Sequence, residues 1–218
     1  MTGQTPMASS ARSALGRDYG GRSASERRAE RRARLLAAAT ELFGVDGFHA
    51  TSIERVCTRA NVSTRNFYEE FTSRESLLIE LHEQISQRAF DAVLAAIAEA
   101  GEASTAERVA MGIRAYVGST SADPRWARIA YVEVVGVSAE VEQHRLTWRK
   151  RLSTLVEAEA AFAVSRGDGI ERDFHHRAVA FVGAVTELVY QWTIENRQAP
   201  VETICAELTS VALAMLTT

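Results

Sequence analysis

Lysine is nearly missing from this 218-residue chain: Lys150 stands alone among twenty-five Lys and Arg residues. Proline occurs three times and cysteine twice. With so little proline and no convincing apolar–polar alternation, long helices are favoured over strands. Cys57 and Cys205 lie in apolar helical patterns without metal-type spacing, so they are expected as reduced, packed thiols and no metal site is expected. No run approaches the ~18 uncharged apolar residues of a membrane span, and the N-terminus has no apolar core of a secretory signal. A Gly-rich phosphate loop, a nucleophile elbow and a metal-spaced His/Cys set are all lacking. His175-His176 are adjacent, which on a helix points them ~100° apart and away from a common ion. No cofactor is expected, and an all-α enzyme is the weakest of the readings.

What is present is an asymmetric distribution of charge. Residues 1–34 carry eight arginines against three acids, whereas residues 81–218 carry thirteen basic against eighteen acidic residues. A basic front on an acidic body suits a polyanion held at one end. Residues 1–24, rich in Ser, Gly, Ala and Arg, are expected as a disordered basic tail.

Ser25 offers a cap for a first helix that runs to Phe43, with Gly44 and Gly47 ending it. Its basic first turns oppose the helix dipole, a cost that a nearby phosphate backbone would offset. Thr51 to Phe71, TSIERVCTRANVSTRNFYEEF, then reads as two short helices around a tight turn. Thr51 with Glu54 forms a capping box, Ile53, Val56 and Cys57 face inward, and Asn61 tolerates the left-handed turn. Val62 fills the gap, Ser63 or Thr64 caps the second helix, and Phe67 and Phe71 face the core. Thr64, Arg65, Asn66 and Tyr68 are left outward, the shape of a helix-turn-helix that enters a major groove.

A second capping box, Thr72 with Glu75, opens a helix to Ala100, ~40 Å long at ~1.5 Å per residue. This helix links the front of the chain to its back half. Helices are expected from Ser104/Thr105 to about Thr120, from Pro124 through PRWARIAYVEVVGV, from about Val141 to Arg166, from Asp173 through residue 196 and from Pro200 onward. The fold class is therefore all-α: three helices in front (25–80), six behind (81–218).

The stretch RRARLLAAATELFGVDGFHATSIERVCTRANVSTRNFYEEFTSRESLL resembles the DNA-binding domain of the TetR family of bacterial regulators. The resemblance rests on Leu36, Ala38, Ala39, Leu42, Phe43, Gly47-Phe48, Thr51, Ile53, Val56, Ala60, Val62-Ser63, Phe67-Tyr68, Phe71, Ser73-Arg74-Glu75 and Leu77-Leu78. It implies a homodimer on a palindromic operator, a small-molecule effector bound between the middle helices, and a bacterial cytoplasmic, nucleoid-associated location. The arginine, alanine and valine bias suits a GC-rich bacterial genome. Thr64 and Arg65 stand where many members have Lys or Pro followed by Gly, and Glu69 and Glu70 replace residues often basic or aromatic, which makes the operator this chain's own.

Arg65 is the expected base reader, by bidentate pairing with guanine, and Asn66 suits adenine. Thr51, Ser52, Ser63, Thr64, Tyr68, Ser73 and Arg74 suit phosphate positioning, with Arg28 and Arg31 adding to it. In the back half, aromatic and polar side chains in apolar helices mark a candidate effector pocket: Tyr116, Trp126, Tyr131, Glu133, Trp148, Glu187, Tyr190 and Gln191. Glu133 and Glu187 could meet a cationic or hydroxylated ligand or an arginine across the dimer. The last two helices are the expected dimer interface, through Phe181, Gly183, Ala184, Val211, Leu213, Ala214 and Leu216. The expected function is a repressor that a small-molecule effector releases from its operator; a constitutive DNA-binding regulator or activator without an effector is the alternative.

Overall fold

The computed structural model describes residues 23–195 and 198–217, and no described residue lies in a strand. Most of the basic tail lies outside the described residues. α1 (Ala24–Val45) starts earlier than expected because Ser23, not Ser25, is its cap. The Ser23 side chain accepts from the Glu26 backbone N–H, and the Glu26 carboxylate accepts from Ser23 N–H at 2.6 Å. The acid that Ser25 lacks three residues on is the one Ser23 has.

α2 (Ile53–Ala60) packs on α1, and α3 (Thr64–Tyr68) packs on α2. Asn61 takes the left-handed conformation at the turn, φ 51°. Here the cap moves by one residue. Ser52 caps α2, while the Thr51 side chain is fully buried and donates to Gly47 O at 2.8 Å. α4 (Arg74–Ala100) opens on Ser73 paired reciprocally with Ser76, in place of Thr72 with Glu75. Leu35, Phe43, Phe48, Val56, Phe67, Leu77 and Leu78 form the front core, all at most 1% exposed.

Behind lie α5 (Thr105–Ser121), α6 (Pro124–Arg128) with a π-helical turn over Ile129–Glu133, α7 (Ala139–Ser165), α8 (His175–Ile194) and α9 (Val201–Thr217). α5 folds back on α4 and also packs on α9, and α7 lies along α8. The segment read as one helix from Pro124 is thus a short helix that widens into a π turn. α7 begins at Ala139 on a Ser138 cap, two residues before Val141. α8 begins at His175, where Asp173 still serves its end by accepting from the His175 backbone N–H at 2.9 Å.

The π turn is a wall shared by two cores. Ile129 and Val134 belong to the front core, Tyr131 to the back one, and Ala130 packs against both. The front core therefore includes residues of the back half, Val141 among them.

Two glycines of the α1 end face this wall. Gly44 does not end α1: it is buried inside it, where a Cβ would lie 2.4 Å from Arg125 Cβ and 2.9 Å from Arg125 Cα. Gly47, at φ 98°, sits where a Cβ would lie 3.3 Å from Glu133 Oε2. Helix propensity alone makes Gly44→Ala stabilising by about 1 kcal/mol. The α1–α6 crossing reverses the sign, because Arg125 backbone must move, and overpacking costs about 1–3 kcal/mol. Urea unfolding of Gly44→Ala is expected to show a lowered midpoint; a raised one would remove the crossing from the account.

Candidate nucleic-acid interface and ligand cavity

On the outer side of the helix-turn-helix, Arg65 projects with 90% of its side chain exposed, its nearest carboxylate Glu69 at 3.9 Å. Thr64, Ser63 and Tyr68 are exposed beside it and Asn66 is half-buried. Ser63 Oγ accepts from Asn66 N–H at 3.2 Å and Ser52 Oγ from Arg55 N–H at 3.2 Å, so both serines set the helix ends they stand on. Four polar side chains of one short helix, and that of its cap, are thereby presented together to solvent.

Other residues expected at this surface are engaged inward. Arg28 and Arg31 clamp the end of α3: both pair with Glu70, at 3.0 and 2.9 Å, and Arg28 also donates to Glu69 O. Arg32 adds a bond to Glu70 O, a neighbouring carbonyl at that helix end. The basic turns of α1 are thus matched within the domain by the carbonyl end of α3 and by Glu70, whose side chain is 1% exposed. Burial on its own would raise the Glu70 carboxyl, but the hydrogen bonds and charges of Arg28 and Arg31 outweigh it and hold the pKa below the usual range. Thr51 is buried, and Ser73 is occupied as a cap. Arg74 donates to Thr51 O at 2.6 Å and Phe48 O at 3.2 Å and lies 4.2 Å over the Phe48 ring. It fastens the loop before α2.

The buried carboxylate Glu133 is engaged by protein groups on both oxygens. Its Oε2 accepts from the Phe48 backbone N–H at 2.7 Å and its Oε1 from Arg128 Nε at 2.8 Å. One side chain of the back half thus satisfies the backbone of the front. Trp126 packs on the front core under Arg88, 4.1 Å over its ring. Glu187 and Gln191 are exposed and bonded to each other at 2.8 Å, and Tyr190 packs into the back core.

A cavity of about 140 Å³ does lie in the back half, enclosed by α4, α5, α7, α8 and α9. Its walls are mostly aliphatic, Val93, Ile97, Ile113, Leu155, Val182 and Met215 among them. Of the expected pocket residues, Tyr116 lines it. Tyr131 and Trp148 line a smaller chamber next to it. Sequence reasoning missed the aliphatic wall, since valines and leucines at helical spacing read as core. It also missed Arg108, which lines one end of the cavity bonded to Glu159 at 3.0 Å and to Gly101 O at 3.0 Å.

The expected dimer residues divide. Phe181 and Leu216 are buried and line the cavity, so they are not available to a partner. Leu213 packs inward against Ala160, Ala163 and Phe174, and Gly183 and Ala184 are half-buried. Val211 and Ala214 lie on the outer side of α9, while Val179 and Ile194 expose apolar surface on α8.

Residues 35–81, which span the helix-turn-helix and its supporting helices, match the model of the bacterial regulatory proteins of the tetR family. The HTH-type transcriptional activator FasR of Mycolicibacterium smegmatis is 29% identical over 165 residues, covering 72% of this chain and 68% of FasR. The HTH-type transcriptional regulator UidR of Escherichia coli K12 is 36% identical over 58 residues, 27% of this chain and 30% of UidR. The transcriptional regulator FadR of Bacillus subtilis, solved in complex with stearoyl-CoA, has the same fold with a TM-score of 0.73 at 18% identity, over 84% of this chain and 98% of FadR. With its polar helix presented as described and its front helices matching in sequence, residues 35–81 of this chain are a DNA-binding domain of the TetR family of bacterial transcriptional regulators.

Proposed function

We propose that the protein is a dimeric repressor that holds a palindromic operator through two copies of α2 and α3, and that an apolar, chain-like effector in the cavity releases it. The observation that carries this reading is the course of α4. Its first half supplies Leu77, Leu78, Leu81 and Ile85 to the front core, and its Val93 and Ile97 line the cavity. A ligand that moves the second half of one continuous helix moves the first, and with it the separation of two reading helices. The aliphatic walls suit a hydrocarbon chain, and the stearoyl-CoA bound by the B. subtilis FadR supports a fatty-acyl class. One observation favours activation as a second reading: the relative FasR is named an activator. A reporter under the bound promoter, measured with and without the regulator gene, separates the two.

At the DNA, Arg65 reads guanine and Asn66 adenine, while Thr64, Ser63, Ser52 and Tyr68 position phosphates. Thr51, Arg28, Arg31, Ser73 and Arg74 support that surface from behind. Dimerisation uses the outer faces of α8 and α9, where Val179, Ile194 and Val211 are exposed.

Operator sites come first from genome-wide mapping of bound DNA. On such a duplex, Arg65→Ala is expected to lower specific affinity by about 1–3 kcal/mol while the salt-dependent non-specific binding persists. Saturating laurate or lauroyl-CoA is expected to weaken operator binding by about 1–3 kcal/mol, and equal affinities would reject the coupling. Val179→Glu combined with Val211→Glu is expected to sediment as a folded monomer; an unchanged dimer places the interface elsewhere.

A further inference from the structure

The smaller chamber beside the apolar cavity is chemically unlike it. The two share Tyr116, Leu152 and Thr186 as walls, so they adjoin. The apolar cavity has one charged end, Arg108 with Glu159, and that end is internally neutralised. The smaller chamber is lined by Arg145 and Arg149 and by no carboxylate. Arg145 is ion-paired with Glu142, whereas no carboxylate among the described residues lies within ion-pair distance of Arg149. Gly183 of α8 lies beside the Arg149 side chain: a Cβ there would be in ordinary contact with its Nη2, at 3.7 Å.

The remaining polar groups of the chamber are neutral. Burial, helped by the nearby His144 and Arg145, lowers the His82 pKa to about 3, so its ring carries no charge. Burial pushes the Tyr116 and Tyr131 phenols up, so both keep their protons as donors. One uncompensated guanidinium in a half-buried, carboxylate-free chamber favours an anionic occupant. Size narrows the class. The chamber offers about 40 Å³, against the ~10–15 Å³ that admits one water. That suits a carboxylate and excludes a nucleotide.

Building on the apolar-effector reading above, we infer that this chamber is a head-group site, and that the effector is a fatty carboxylate whose chain lies in the apolar cavity and whose anion meets Arg149. A coenzyme A thioester places only a neutral carbonyl at that position and forgoes the charge-assisted pairing with the guanidinium.

The test is calorimetric titration of the full chain with laurate, dodecanol and lauroyl-CoA, for the natural protein, Arg149→Gln and Arg149→Lys. Laurate is expected to bind about tenfold or more tighter than dodecanol, as a charge-assisted hydrogen bond implies. Arg149→Gln is expected to remove that preference and leave dodecanol within about twofold, with Arg149→Lys retaining part of it. Equal binding of laurate and dodecanol by the natural protein overturns the head-group site and leaves the apolar effector standing. So does lauroyl-CoA binding more tightly than laurate and indifferent to Arg149→Gln. Binding of none of the three overturns the effector reading itself.

Discussion

The carboxylate of Glu133 holds the two halves of this molecule in register. A buried carboxylate with no partner costs several kcal/mol, so its position is sustained only by the two donors it finds. One is Arg128 on the preceding helix and the other is the backbone N–H of Phe48, at the far end of the turn that closes α1. The constraint spreads from there. Gly47 has a left-handed backbone and no Cβ to press on the carboxylate. With the turn fixed, its carbonyl receives the Thr51 hydroxyl, and the Phe48 and Thr51 carbonyls receive Arg74 from the start of α4. The entry to α2, and hence the pose of α3, is therefore set from the back half as well as from the front core.

The legible part of the sequence was the part governed by local rules. The periodicity of α1 and α4, the left-handed Asn61, the inward Phe67 and Phe71 and the Asp123-Pro124 start each depend on neighbours within a few residues. Where two local rules competed, sequence could not rank them. Thr51 with Glu54 satisfies the capping-box pattern and Ser52 with Arg55 does not, yet Ser52 caps, because the Thr51 hydroxyl has a better use in the buried turn. Long-range pairings were silent. Arg28 and Arg31 read as phosphate ligands since nothing in their own helix explained them, and Glu70 lies about forty residues away along the chain. Glu133 and Phe48 are eighty-five residues apart.

The cavity was illegible for a different reason. A search for aromatic and polar side chains in apolar helices assumes that a binding site announces itself by unusual residues. Here the larger chamber is built from the residues that also build cores, and what makes it a cavity is the spacing of five helices. Trp126, Glu133 and Tyr190 drew notice for their chemistry and turned out to be structural, holding the front core, the interdomain turn and the back core. The informative polar residues were arginines, Arg108 and Arg149, which differ in one respect: the first meets a carboxylate and the second does not.

The strength of the Glu133 contact also limits how the proposed switch can work. Breaking a hydrogen bond to a buried charged group costs about 1.5–3 kcal/mol, whereas allosteric couplings usually amount to about 1–3 kcal/mol. An effector that had to break the bond to Phe48 would need nearly all of its differential binding energy for that step alone. Tyr131, two residues from Glu133, lines the smaller chamber, and Ile129 and Val134 on the other side of the same turn are locked into the front core. A displacement of Tyr131 is therefore conveyed through an intact contact. The π turn, the Gly47–Phe48 turn and the first half of α4 move as one body, and the flexing falls on the second half of α4, where Val93 and Ile97 face the cavity and nothing in the front core holds them. On this account the helix-turn-helix keeps its internal geometry in both states, and what the ligand changes is its orientation on the body.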